Sequence, residues 1–147
     1  MMNYVLMDQS HIPQIADLER ACFSAPWDEP SVASELDNDL ALWLVAVDGN
    51  RVAGYVGSQS VMGEADMMNI AVDAQYRRQG IGETLINKLI TALKEREVYS
   101  LTLEVRASND AAICMYHKLG FEQVGRRPGY YVKPKEDALI LRKEWAL

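Results

Sequence analysis

Hydrophobic residues along this chain change their period several times, and each change marks an element. Residues 3–7 read as a short strand. Ile12, Ile15, Leu18, Ala21 and Cys22 then recur at the three- and four-residue spacing of one amphipathic helix. A second, shorter helix is expected over residues 30–36, because proline is well placed in a first helical turn. From Ala41 the pattern turns to β-branched and apolar runs, residues 41–47 and 52–61. They are separated by Asp48-Gly49-Asn50, where glycine supplies the positive φ of a hairpin. Gly63 marks the next turn, and residues 67–72 form another strand. Ile81, Leu85, Ile86, Leu89, Ile90 and Leu93 fall on one face of a long helix, which a strand over Ser100–Arg106 follows. Asn109 can cap a helix that buries Ile113, Tyr116 and Leu119, with Gly120 closing it in left-handed conformation. Residues 121–124 and 138–141 are the last strands. The order β-α-α-β-β-β-α-β-α-β-β predicts a mixed α/β sheet with helices on both faces.

Composition supports one domain over residues 1–147. With 49% hydrophobic and 24% charged residues, the chain can bury a core without disulfides or a structural metal. No repeat, low-complexity tract or linker interrupts it. Cys22 and Cys114 match no metal-ligand or redox spacing, and the first ten residues lack the basic and apolar regions of a signal peptide. The expectation is a cytoplasmic protein with reduced thiols. Its longest purely apolar run, residues 41–47, is far shorter than the roughly 20 residues of a membrane helix.

The net charge of −6 argues against general nucleic-acid binding, but it is unevenly spread. Residues 1–66 hold eleven carboxylates against Arg20 and Arg51, a balance of −9, while residues 67–147 carry +3. Either this is an uneven solvated surface, or the two parts of the chain serve ligands of opposite sign.

Candidate chemistry begins at Tyr76-Arg77-Arg78-Gln79-Gly80-Ile81-Gly82, between the strand ending at Val72 and the helix starting near Ile81. A glycine turn before a helix points unpaired N–H groups and the positive end of the helix dipole at one place, as a diphosphate requires. The Walker spacing is absent. The dinucleotide fingerprint lacks its third glycine, since Leu85 stands there. A plain helix start made of turn residues remains the alternative for the loop taken alone.

Further blocks change that balance. The spacing Arg77-x-x-Gly80-x-Gly82 resembles the acetyl-CoA signature of the GCN5-related N-acetyltransferases. The segment Leu103-Glu104-Val105-Arg106-Ala107-Ser108-Asn109 and the segment Met115-Tyr116-x-x-Leu119-Gly120-Phe121 follow in that family's order. Ala25-Pro26-Trp27, Asn69-Ile70-Ala71-Val72, Tyr130-Tyr131 and Glu136-Asp137-Ala138 resemble the bacterial members that acetylate the N-terminal alanine of a ribosomal protein.

The resemblance implies a mostly antiparallel seven-stranded sheet whose central strands splay apart to admit acetyl-CoA as cosubstrate, with no metal. It implies that the main chain of Ile70, Ala71 and Val72 pairs with the pantetheine arm. The diphosphate would rest on Arg78, Gln79, Gly80, Ile81, Gly82 and Glu83, with Asn109 on the far side. The Glu83 carboxylate would have to point away. Glu104 becomes the base that deprotonates the incoming amine, and Tyr116 the acid that protonates the departing thiolate. Without the resemblance, Glu104 could be a solvated partner of Arg106 and Tyr116 a core aromatic. Trp27, Glu35, Tyr130 and Tyr131 would wall the acceptor groove, the tyrosines on a loop, with Glu29, Asp37 and Asp39 nearby. Cys114, two residues from Tyr116, lies on another side of the helix and is expected to be structural, as are His11 and His117.

The implied partner is a basic protein N-terminus, of small-subunit ribosomal protein 18 in the usual case, with no direct nucleic-acid or membrane binding and a monomer or weak dimer. Other N-termini, lysines or a polyamine are alternative acceptors, and a silent acyl-CoA-binding module is the alternative of another class. At pH 7.4 deprotonating an α-amine costs about half a kcal/mol, against about 4 kcal/mol for a lysine, so a modest base suits the former.

Overall fold

The computed structural model covers residues 1–147. Seven strands are present: β1 (Met2–Leu6), β2 (Ala41–Asp48), β3 (Arg51–Val61), β4 (Glu64–Val72), β5 (Ser100–Arg106), β6 (Glu122–Val132) and β7 (Lys135–Glu144). Four α-helices join them: α1 (Ile12–Cys22), α2 (Glu29–Ser34), α3 (Ile81–Glu95) and α4 (Asp110–Lys118). The chain order is the one that the hydrophobic pattern predicts. The strands form one sheet in the order β1-β2-β3-β4-β5-β7-β6, antiparallel everywhere except between β4 and β5. No helix is long and apolar enough to cross a membrane.

Alternation along β2 shows how the sheet divides two cores. Leu42, Leu44 and Ala46 join the cluster beneath α3, which buries Ile81, Leu85, Ile86, Leu89, Ile90 and Leu93, all six positions of the predicted stripe. Trp43 and Val45 face the other way, against Ile12, Ile15 and Leu18 of α1 and Val32 of α2. A fully buried Leu or Ile contributes roughly 1.5–3 kcal/mol, so α3 is held by packing more than by helix propensity. Gly57 of β3 is required by the second core. A Cβ there would lie 2.4 Å from the ring of Trp43, its cross-strand partner on β2.

Opening of the sheet at its centre positions the site. β4 and β5 pair only through Glu64–Ser100, Ala65–Leu101 and Asp66–Thr102. Beyond these, β4 stays with β3 and β5 stays with β7. A register shift at Gly57/Ser58 leaves Met68 as an extra residue in β4, and such bulges bend and twist a strand. From Met67 onward the edge of β4 that faces β5 is therefore free of a partner strand.

Two expectations change. The second helix ends at Ser34 and continues as a 3-10 turn over Glu35–Asp37, where the Glu35 side chain is drawn inward to buried partners. The last two strands are far longer than the apolar runs that predict them. Arg126, Arg127, Pro128 and Gly129 read as loop, but β6 is an edge strand, where polar residues and proline are tolerated, and its register is irregular between Arg127 and Tyr131. Tyr130 and Tyr131 consequently sit on β6, and not on a loop.

Candidate active site

The splay opens into a cleft of about 1020 Å³ lined by β4, β5, the turn before α3, α4, β6 and the segment after α1. Its inner end lies along the parted strands. Ile70, Ala71 and Val72 line it along the free edge of β4. Arg77 Nε donates to the Val72 carbonyl at 3.2 Å and so braces the end of that strand. The chain then turns through left-handed residues at Arg78 (φ 63°) and Gly80 (φ 76°). Gly80 is the N-cap of α3 and no side chain caps it, so the first amides of the helix are left for a ligand. Gly82 lines the cleft as well. A Cβ there would meet only Met115 Sδ at 3.7 Å and Val72 Cγ2 at 3.9 Å, ordinary contacts, so the protein itself has room for one and the glycine keeps that space for the cleft.

This end suits a phosphorylated ligand. Arg78, Gly80, Ile81 and Gly82 all line it, with Arg77 alongside. Glu83 also lines it, but its carboxylate is ion-paired with Lys118 at 3.1 Å, which offsets the repulsion expected of it. Gln79 is the exception to the predicted set. It is exposed and outside the lining, because the left-handed backbone on both sides of it reverses the chain and leaves it at the outer tip. Asn109 lines the cleft from α4, where its side-chain oxygen accepts from the Ala112 amide at 3.3 Å as the helix cap, leaving its Nδ2 to donate.

Across the cleft, Glu104 and Tyr116 are brought to the same space. Glu104 is on the face of β5 opposite Leu103 and Val105, which are core. Its ion-pair partner is Arg127 of β6 at 3.5 Å, whereas Arg106 pairs with Glu136 at 3.3 Å. Tyr116 is only 5% exposed and packs edge-to-face on Phe121. Loss of solvent raises its phenol pKa, with the nearby Tyr131 adding to the effect, so it stays protonated as a hydrogen-bond donor. Tyr131 is pushed up to about 12 by burial, then by Tyr130 and Glu104. The Arg106 guanidinium lies 4.2 Å from the Tyr131 ring centre and holds it against β5.

The outer end is walled by Trp27, Phe23, Tyr130 and Tyr131. Glu35 is not among them. It is buried, accepting from Trp43 Nε1 at 3.2 Å, Gln59 Nε2 at 2.7 Å and Asn38 Nδ2 at 2.9 Å, and with Asp39 it borders a separate cavity of about 320 Å³. Donors from Asn38, Trp43 and Gln59 satisfy the carboxylate indoors, away from the groove. Glu83 and Glu104 are the only carboxylates in the main cleft lining. Cys114 is exposed, while Cys22 lines the cleft near Arg77. His11 closes a capping box with Asp8, and His117 meets the Phe121 carbonyl at 3.0 Å.

The sequence pattern does not single out the contact between Glu19 and Asn69 or the ion pair between Arg127 and Glu104. Glu19 was legible in principle. It stands four residues after Ile15 and seven after Ile12, a carboxylate on the apolar stripe of α1. Arg127 had no local signal, because its pairing with Glu104 depends on β6 folding back beside β7.

Comparison with known proteins agrees with this geometry. A family model described as acetyltransferase (GNAT) family matches residues 12–121, which span α1 to the end of α4 and include Glu104, Tyr116 and the Gly80–Gly82 turn. The chain is 37% identical over 137 residues to the [ribosomal protein bS18]-alanine N-acetyltransferase of Escherichia coli K12, covering 92% of each chain. It is 34% identical over 131 residues to the Haemophilus influenzae protein of the same name, covering 87% of this chain and 88% of that one. The crystal structure of the Escherichia coli ribosomal-protein-S18-alanine N-acetyltransferase superposes with a TM-score of 0.91 at 35% identity, over 100% of this chain and 96% of that one. The splayed sheet, the uncapped helix after its glycine turn and these matches over nearly the whole length have one explanation: the chain belongs to the GNAT acetyltransferase family.

Proposed function

We propose that this enzyme acetylates the α-amine of an N-terminal alanine, with ribosomal protein bS18 as the acceptor and acetyl-CoA as cosubstrate. The observation that carries this reading is the meeting of Glu104 and Tyr116 in one cleft with the free edge of β4 and the uncapped start of α3. Relatives of that name over nine-tenths of the chain supply the acceptor.

Acetyl-CoA, when bound, supplies an activated acetyl group and a thiolate leaving group. Arg78, Gly80, Ile81, Gly82 and the backbone of Glu83 are the groups that hold its diphosphate, and residues 70–72 offer main-chain partners to its arm. A backbone N–H aimed at a developing oxyanion is usually the largest catalytic contribution, and the free edge of β4 presents such donors. Glu104 takes the proton from the acceptor's ammonium, directly or through water, while Arg127 keeps the carboxylate in place from β6. Tyr116 holds a proton at its hydroxyl that a thiolate can accept. Burial keeps that phenol protonated, so it can donate a hydrogen bond to the thiolate as it forms.

A screen of N-terminal peptides and small amines for CoA release tests the assignment. The bS18-type peptide beginning with alanine is expected to give the highest kcat/KM. Faster turnover of a lysine side chain or a polyamine would replace the acceptor, and binding of acetyl-CoA without transfer to any amine would leave a silent module.

A further inference from the structure

Glu19 takes no part in the chemistry above, yet it is the most completely buried carboxylate of the chain. All its partners are donors, and they come from three other segments. The Tyr55 hydroxyl of β3 donates to it, Asn69 Nδ2 of β4 reaches both oxygens at 3.0 Å, and the main-chain N–H of Trp27 donates at 2.9 Å. Burying a carboxylate is costly unless its acceptor capacity is filled, so these four segments hold one another in register.

Two of the donors themselves line the cleft. Asn69 lies on the free edge of β4 just before residues 70–72, and Trp27 ends the segment that runs from α1 along the outer wall. The Trp27 ring lies edge-on to Trp43 at 5.4 Å, and Trp43 stacks on Tyr55 at 5.8 Å. Trp43 in turn donates to buried Glu35. An aromatic stack, clamped by a carboxylate on either side, thus ends in the ring that faces the groove.

We propose that Glu19 is a positioning residue for the acceptor. By holding the Trp27 amide and the Asn69 carboxamide from one point, it sets the spacing between the outer wall and β4, and so the width of the groove that receives the amine. Glu35 backs the same stack from behind. This rests on the acetyl-transfer reading above, but not on which amine is the acceptor.

The test therefore uses whichever peptide or amine the wild-type enzyme turns over best. Glu19→Gln turns an amide N–H2 toward a donor, and about a tenfold rise in acceptor KM is expected, with the acetyl-CoA Kd from calorimetry within about twofold of wild type. Hydrogen exchange at the amides of Ser24, Ala25 and Trp27 should accelerate, a readout that needs no turnover. Tyr55→Phe removes one donor and keeps the ring stack, so it serves if the first variant does not fold, with a smaller KM rise of about threefold expected. The double variant Glu19→Gln/Asn69→Asp reverses donor and acceptor and should recover part of the KM. Folded variants with unchanged acceptor KM would overturn the proposal, and so would a loss of acetyl-CoA affinity in step with KM, which marks a general structural role.

Discussion

The two ends of the cleft are built from different materials. At the inner end the groups presented to the cleft are backbone: the unpaired edge of β4 and the uncapped amides of α3, with glycine at 82 leaving the space open. At the outer end they are side chains, Trp27, Tyr130 and Tyr131, fixed by contacts from β2, β3 and β5. A backbone site tolerates substitution except where a side chain intrudes, whereas a side-chain site fails whenever a supporting contact is lost. The difference suits a cosubstrate that stays the same across a family and an acceptor that varies.

Between the two ends stand Glu104 and Tyr116, the proposed base and acid. Glu104→Gln and Tyr116→Phe are near-isosteric, and each is expected to lower kcat by about 10²–10⁴-fold while acetyl-CoA affinity changes by less than about twofold. The rising limb of the pH–rate profile should also move in Glu104→Gln. Equal losses in kcat and cosubstrate affinity would make both residues packing elements of the inner end.

Breaking the inner end alone requires only one side chain. Gly82→Val should weaken acetyl-CoA by at least about tenfold in calorimetry, because it fills the cradle from which the first amides of α3 would bind the diphosphate. Its fold should persist, since a Cβ at that position meets nothing closer than 3.7 Å. An unchanged Kd in a folded variant would place the diphosphate elsewhere.

A smaller effect is expected from charge. Glu29 and Asp39 are exposed, unlike Glu35, and belong to the acidic region of the chain. If that region steers a basic acceptor, kcat/KM for a basic alanine-terminal peptide should exceed that for a neutral one by a few-fold at low salt. The advantage should fade as the Debye length shortens from about 30 Å at 0.01 M to about 8 Å at 0.15 M. Glu29→Lys with Asp39→Lys should reduce the ratio without changing acetyl-CoA affinity. A ratio near one at every salt concentration would leave the acidic region as solvated surface.

Smallest of all is the expected response of the outer wall to acid. Hydrogen bonds from Ser108 hold Glu136 below the usual carboxylate range, helped by Arg106, and the Gly129 amide does the same for Asp137, helped by Arg126. Because the folded values are depressed, the stability these groups contribute is complete above the unfolded carboxylate pKa of about 4 and is lost as pH falls through the folded values. Thermal unfolding followed from pH 6 downward should show a modest fall in Tm below about pH 4, and Asp137→Asn should flatten that part of the curve.

What the sequence determined by itself is local. The α3 stripe, the Asn109 cap, the left-handed Gly120 and the glycine turn at 80–82 follow from spacing within a few residues, and the structure has each in place. Even the splay was accessible only through a resemblance, since no residue in β4 or β5 announces that two strands part after three pairs. Tertiary structure alone decided which carboxylates line the cleft. Glu35 and Glu19 share the acidic N-terminal region with exposed Glu29, yet both are buried by donors from other segments, Trp43 and Gln59 for one, Tyr55 and Asn69 for the other. Arg127 reaches Glu104 from 23 positions along the chain because an edge strand rich in polar residues folds beside β7. Helical and strand periods are written into neighbouring residues, but the pairing of a buried charge depends on where distant donors arrive, and that is set only when the sheet closes over its two cores.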